Sequence, residues 1–353
     1  MQTLLAIEAV LIASVLSENE DAIQHALLRA RAYRYGNEAV RSAPFIGGTS
    51  KRPTAFDLIV ITDSDKKARI EKYQWEAVRR RGTLLLSPDW QEAQVEWMRK
   101  SDVHIQSLYS YKGRGMEMSD LVKFNGHILA PDDKTGIIFA IENDKAVPWV
   151  ILSSGSGNST QGMKIEWLTL KDSILYAGGH GLEYRDDDGN IENEDNMWIK
   201  TITERGEVQH IDWRNEFTKV RNFAGYPAPG YLTHEAVQWS ETHQKWFFLP
   251  RKASKTIYDE EADETKGANI MITADPTFTT FEKITIGELT PDRGFSAFVF
   301  IPGTDDQLIV ALKSKEVKDI TESFITAFDI RGHVILKEQK LTDNYKFEGL
   351  FLV

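Results

Sequence analysis

YLTHEAVQWSETHQKWFFLPRKAS, residues 231–254, reads as a β-hairpin, with alternating runs Glu235–Trp239 and Lys245–Leu249 on either side of a polar turn. Side chains alternate sides along a strand, so Glu235, Val237 and Trp239 share a face. A carboxylate then lies on the apolar side, where an unpaired charge is costly. The second run ends in Pro250, Arg251 and Lys252, which put fixed positive charge where the strand gives out. A buried acid beside cations suits a site that handles a metal ion and an anion together. A core glutamate satisfied by an arginine would look the same in a lone hairpin, so the decision rests on recurrence.

The pattern recurs. From Ala55 onward the chain reads as about twenty short strands with turn punctuation and no long helix. Phe56–Thr62 is a central strand, and Leu121–Phe124 with Ile128–Ala130 is a hairpin about the favoured turn pair Asn125-Gly126. Five strands open with an oxygen-bearing residue just before the apolar run: Ser119, Glu166, Glu235, Ser296 and Glu348. Their gaps of 47, 69, 61 and 52 residues are near a propeller blade of roughly 40–50 residues plus insertions. The innermost strand of each blade lines the central channel, so equivalent positions converge. Three carboxylates meeting there repel unless something positive sits among them, and hard oxygen donors suit Ca²⁺ better than zinc. The expectation is an all-β chain: a five-bladed β-propeller with a central calcium-binding tunnel.

Composition agrees. The 353 residues are 41% hydrophobic, enough for a large core, and the net charge of −11 makes a nucleic-acid backbone an unsuitable partner. With no cysteine, disulfide and thiolate chemistry are excluded, though secretion is not. Residues 1–17 (MQTLLAIEAVLIASVLS) have the length and small-residue end of a signal peptide, too short to span a bilayer securely. Residues 18–53 read as a charged N-terminal extension and linker, and 54–353 as the propeller domain. Asn158-Ser159-Thr160 fits an N-glycosylation acceptor on a secretory route, so the expected location is secreted or the endoplasmic reticulum/Golgi lumen.

The blocks KGRGMEMSDLVKFNG (112–126), DDKTGIIFAIE (132–142), GMKIEW (162–167), YLTHEAVQWS (231–240), WFFLPRKAS (246–254), GFSAFVFIPGTDDQLIVALKS (294–314) and KFEG (346–349) resemble those of the calcium-activated nucleotidases, or calcium-dependent apyrases. The resemblance implies one Ca²⁺ in the tunnel and hydrolysis of nucleoside di- and triphosphates, with GDP, UDP or ADP favoured. By position it puts the calcium ligands on Ser119, Asp120, Glu166, Glu235, Ser296 and Glu348, a set that contains the five found by spacing. It matches Arg251 to an arginine at the tunnel mouth, a phosphate-binding and catalytic role that suits a planar fork. Arg114 and Lys164 are further phosphate-binding candidates. Asp63 and Asp65 match the family's D-x-D pair; Asp63 is expected to orient or deprotonate the attacking water, and Asp65 to contact substrate. A homodimer is a further implication.

Two departures bear on activity. Ser154-Gly155-Ser156-Gly157 stands where the family has D-G-D-G, and Asp292-Arg293 where it has T-H. If they matter, the alternative is a catalytically weakened propeller that binds calcium and nucleotide as a secreted binding protein. Other motifs are set aside. The Ser-Gly run lacks the Lys of a P-loop, Asp186–Asn190 lacks EF-hand spacing, and Asp259–Glu264 reads as a solvated acidic loop. His180, His210 and His234 are scattered and read as structural.

Overall fold

The computed structural model describes residues 53–353, apart from 99, 187–189 and 319. The signal-peptide reading of 1–17 and the linker reading of 18–53 fall outside these residues, Pro53 excepted. Five larger sheets, each antiparallel, form the blades of a β-propeller. Blade 1 runs from Val122–Phe124 outward through His127–Pro131 and Ile137–Glu142 to Lys145–Ile151. Blade 2 runs from Trp167–Lys171 through Ile174–Gly178 and Trp198–Ile202 to Val208–Asp212. Blade 3 is Tyr231–Ser240, Lys245–Ser254, Ile270–Ala274 and Phe281–Thr285; blade 4 is Arg293–Phe300, Leu308–Val317, Ile320–Asp329 and Val334–Lys340. Blade 5 joins the two ends of the domain: C-terminal Phe347–Leu352 pairs with Thr54–Thr62, which pairs with Gln74–Leu86. That pairing closes the ring.

The core is divided by blade interfaces. One apolar cluster fills each gap: Leu129 and Ile138 against Leu168 and Leu175 between blades 1 and 2, Trp167 and Ile199 against Val237 and Phe248 between 2 and 3. Phe247 meets Phe298 between 3 and 4, Leu312 meets Leu350 between 4 and 5, and Ile61 meets Phe139 between 5 and 1. The Asn125-Gly126 hairpin forms as read, both residues at positive φ (47° and 82°), which a tight primed turn requires.

One element was not expected. Arg214–Ala224 is an 11-residue α-helix, α1, ended by Gly225 at φ 92°. Its buried Phe217, Val220, Arg221 and Ala224 follow helical spacing, but three turns between strands give too short a window for the period to stand out.

The innermost strands also break the simple alternation used to read Glu235. Thr233 pairs Lys252, His234 pairs Pro250 and Ala236 pairs Leu249, so Glu235 and Arg251 both drop out of the ladder at β-bulges. Ser296 drops out between Phe295 and Ala297, and Glu348 between Gly349 and Phe347. Bulges re-aim a side chain and bend the strand. The face shared by Glu235, Val237 and Trp239 is therefore corrected: Val237 and Trp239 pack between blades 2 and 3, whereas Glu235 leaves the ladder.

Candidate active site

The bulged Glu235, Arg251 and Glu348 and the loop entering blade 2 meet at one cavity of about 560 Å³, lined also by Asp63, Asp133, Lys164 and Glu166. The three glutamates picked out by spacing are buried and near one another. Glu166 Oε1 and Glu235 Oε1 lie 2.8 and 3.1 Å from the same nitrogen, Nε2 of His180. Glu235 Oε2 and Glu348 Oε1 lie 2.7 and 3.0 Å from Arg251 Nη1.

These contacts belong to a closed loop of alternating charge. From Glu348 it passes to Lys346 (3.6 Å), Asp65 (2.6 Å), Arg114 (2.9 Å) and Glu117. From Glu117 it continues to Lys134 (3.9 Å), Asp133 (3.0 Å), Lys164 (2.5 Å) and Glu166, which returns through His180, Glu235 and Arg251. Asp63 hangs on the loop through Lys346 (3.1 Å) and accepts the Asp65 N–H at 2.8 Å. Burial raises the cost of each charge, and each acid is answered by a neighbouring cation.

The electrostatics follow. Burial works against Glu166, but the His180 and Lys164 charges hold it well below the usual carboxylate range. Burial works against the His180 cation too, and Glu166 outweighs it and lifts the imidazole. Burial and the Asp63 charge push Glu117 up to about 8 despite the Arg114 fork. Arg251 is raised further, since Glu235 and Glu348 outweigh burial.

The remaining expected ligands divide. Ser119 and Ser296 are buried, and neither Oγ has a hydrogen-bond partner. Two orphaned buried hydroxyls and three buried carboxylates are hard-oxygen donors of the kind calcium takes, so the residue types fit that ion. Asp120 differs: its Oδ1 accepts Leu121 N–H and its Oδ2 accepts Leu168 N–H, each at 2.7 Å, which ties blade 1 to blade 2. Its main-chain oxygen meets blade 5. A Cβ on Gly349 would lie 3.0 Å from that oxygen, so the residue after Glu348 has no room for a side chain.

Asp63, Asp65, Lys164 and Arg251 line the cavity, while Arg114 reaches its rim only through Asp65 and Glu117. His180, read from the sequence as structural, also lines it, with Asp133, Lys134 and Lys346, to which the sequence reading assigned no role. Asp133 and Lys134 lie in the DDKTG block and Lys346 two residues before Glu348, positions that could have drawn attention. His180 gives no such signal. The other two histidines behave as read: His234 is buried on Phe217 and pushed down to about 3 by desolvation, and His210 packs on Gly157.

Both departures from the family pattern lie outside the cavity lining. Ser154–Gly157 packs on blade 2, where Lys200 Nζ donates to the Gly155 carbonyl. Asp292 and Arg293 sit in a network with Glu338 and Lys315. Asp186 N–H donates to Asn190 O beside the paired strands Tyr184–Arg185 and Ile191–Asn193. The acidic run forms a short helix, Glu260–Asp263, whose Glu260 and Asp263 do line the cavity.

Comparison with known proteins gives the same direction. The apyrase family model matches residues 62–353. An apyrase of Cimex lectularius is 42% identical over 84% of this chain and 82% of its own length. The soluble calcium-activated nucleotidase 1 of Rattus norvegicus is 43% identical over 84% of this chain and 73% of its own. An apyrase of Caenorhabditis elegans is 42% identical, covering 84% and 83%.

Proposed function

The chain belongs to the apyrase family and is a nucleotide-hydrolysing enzyme, and we propose that it removes the terminal phosphate of nucleoside diphosphates (GDP, UDP, ADP) and of triphosphates in a calcium-dependent reaction. The observation that carries this reading is the meeting of Glu166, Glu235 and Glu348 with Arg251, Lys346 and Lys164 in one cavity. Glu166, Glu235 and Glu348, with the oxygens of Ser119 and Ser296 and the main chain of Asp120, would hold the ion. Bound there, calcium would neutralise charge on the phosphate oxygens and leave the phosphorus more electrophilic towards water.

The chain's own groups do the rest. Arg251 now answers Glu235 and Glu348, a charge that an ion held by those acids would take over. That leaves the guanidinium fork for two phosphate oxygens, and its Nε is already without a partner. Lys346 and Lys164 add point charges for a polyanion that must be positioned before water attacks. Asp63, fixed by Lys346 and the Asp65 N–H, accepts the proton of that water.

On the same reading, 1–17 directs the chain into the secretory route, 18–53 is a linker, and the exposed loop at Asn158 carries a glycan. Among the described residues no helix is long and apolar enough to cross a membrane. A homodimer is part of the proposal. The test is phosphate release from GDP, UDP and ADP with Ca²⁺, Mg²⁺ or a chelator. Release that requires calcium supports the reading; tight nucleotide binding with no release defeats it.

A further inference from the structure

The sequence favours calcium over zinc because the donors it offers are hard oxygens. The fold supplies a histidine from elsewhere in the chain. His180 Nε2 stands 2.8 Å from Glu166 Oε1 and 3.1 Å from Glu235 Oε1, and the three donor atoms lie within 4.8 Å of one another. Both acids are buried, while the ring reaches the cavity. Glu166 Oε1 completes no hydrogen bond although His180 and Lys164 are close. A buried carboxylate oxygen facing an imidazole nitrogen and a second carboxylate oxygen is placed for a cation. Glu235 divides its work: Oε1 faces His180 and Oε2 faces Arg251. An ion at Oε1 therefore need not displace the arginine, and Lys164 keeps Asp133 as a second partner at 2.5 Å.

We propose that Glu166, His180 and Glu235 form a nitrogen-containing site for a transition ion of the zinc class, mutually exclusive with calcium because the two ions share both carboxylates. Zinc takes imidazole nitrogen and carboxylate oxygen at about 2.0–2.2 Å in a tetrahedron, which sets neighbouring donors about 3.4 Å apart. The separations from His180 Nε2, 2.8 and 3.1 Å, are shorter than that by about 0.6 and 0.3 Å, which side-chain rotation on binding would open. Three protein donors leave one position open for water or a phosphate oxygen. Calcium has little use for the imidazole, since it fills a larger shell with oxygen. Zinc bound here withdraws two calcium ligands, so it acts as an inhibitor competitive with calcium. The exclusivity rests on the calcium reading above; the zinc site itself does not.

The experiment is calorimetric titration of the chelator-stripped full chain with zinc chloride and, separately, calcium chloride, for wild type and His180→Gln. Zinc is also titrated in the presence of saturating calcium. Glutamine keeps a polar group near Nε2 but is a poor zinc ligand. Since losing even an outer-shell partner of a metal ligand costs about 10–100-fold in affinity, losing the ligand itself should lower zinc affinity at least about tenfold. Calcium affinity should fall much less, so the zinc-to-calcium ratio drops about tenfold or more, and calcium should weaken zinc binding to wild type. Affinities that fall together would make His180 a mere aligner of Glu166 and Glu235 and would overturn the proposal. Zinc bound equally well by the variant, or unaffected by calcium, would also overturn it. Zinc binding lost in the variant while calcium binds neither protein would support the zinc site and defeat the calcium reading instead.

Discussion

Arg251→Met probes the charge loop where it matters most. Arg251 Nη1 sits 2.7 Å from Glu235 and 3.0 Å from Glu348, and all three side chains are almost fully buried. Breaking a buried ion pair by removing one partner typically costs about 3–5 kcal/mol, because a charge is left uncompensated. Lys346 at 3.6 Å still serves Glu348, and His180 at 3.1 Å still serves Glu235, so the lower end applies, about 3 kcal/mol. At about 2 °C per kcal/mol for a domain of this size, Tm in chelator should fall by about 6 °C. Calcium, on the proposed reading, replaces the missing positive charge, and an ion that binds only the folded chain raises Tm by mass action. The calcium-induced rise in Tm should therefore be about 6 °C larger in the variant than in wild type. Hydrolysis should nonetheless fall about 10²–10³-fold in kcat/KM, since a charge aimed at the transition state is gone. Arg251→Lys should recover most of the chelator Tm but not the activity, because it returns the charge without the fork. The assay is scanning calorimetry with and without calcium, beside phosphate release. An unchanged Tm in chelator, or equal calcium-induced rises in the two proteins, would refute the competition between Arg251 and the ion.

Asp63→Asn should reduce kcat about 10²–10⁴-fold, the range for a lost general base, with binding of a non-hydrolysable diphosphate analogue nearly unchanged; a normal rate would remove Asp63 from the reaction. Lys200 is wholly buried and desolvation pushes it down from 10.5 to about 8. Its folded value lies below its unfolded one, so the unfolded chain binds the extra proton between those values and stability rises with pH across that window. Lys200→Met should abolish that rise and, after discounting the lost bond to Gly155, stabilise the fold at pH 7 by about 1–2 kcal/mol. Matching slopes of Tm against pH in the two proteins would contradict this. Asp120→Ala strips the acceptor from two buried N–H groups, those of Leu121 and Leu168, and should cost about 2–4 kcal/mol in a urea titration. A loss under about 1 kcal/mol would mean that the link between blades is not as drawn.

The resemblance to a family carries much of the sequence reading, but spacing alone selects Ser119, Glu166, Glu235, Ser296 and Glu348, and of these the fold brings Glu166, Glu235 and Glu348 to one cavity. What spacing could not carry was how the residues point. The alternation argument placed Glu235 with Val237 and Trp239, and the double bulge at Glu235 and Arg251 breaks that face. A bulge depends on which partner strand is present and in what register, and neither is written in the local pattern. Helix α1 escaped for a related reason, since its apolar positions acquire meaning only against Trp213 and Trp246.

The chain's own order of residues determined the kind of protein this is: strand-length apolar runs, turn residues between them, and an acid or hydroxyl returning once per blade. These are local or periodic properties, and periodicity survives without coordinates. Tertiary structure alone decided which cation answers which acid. Lys346 meets Asp63 and His180 meets Glu235 across long stretches of chain. Coulomb interactions at such short range depend on distance and burial, and closure of the ring sets both.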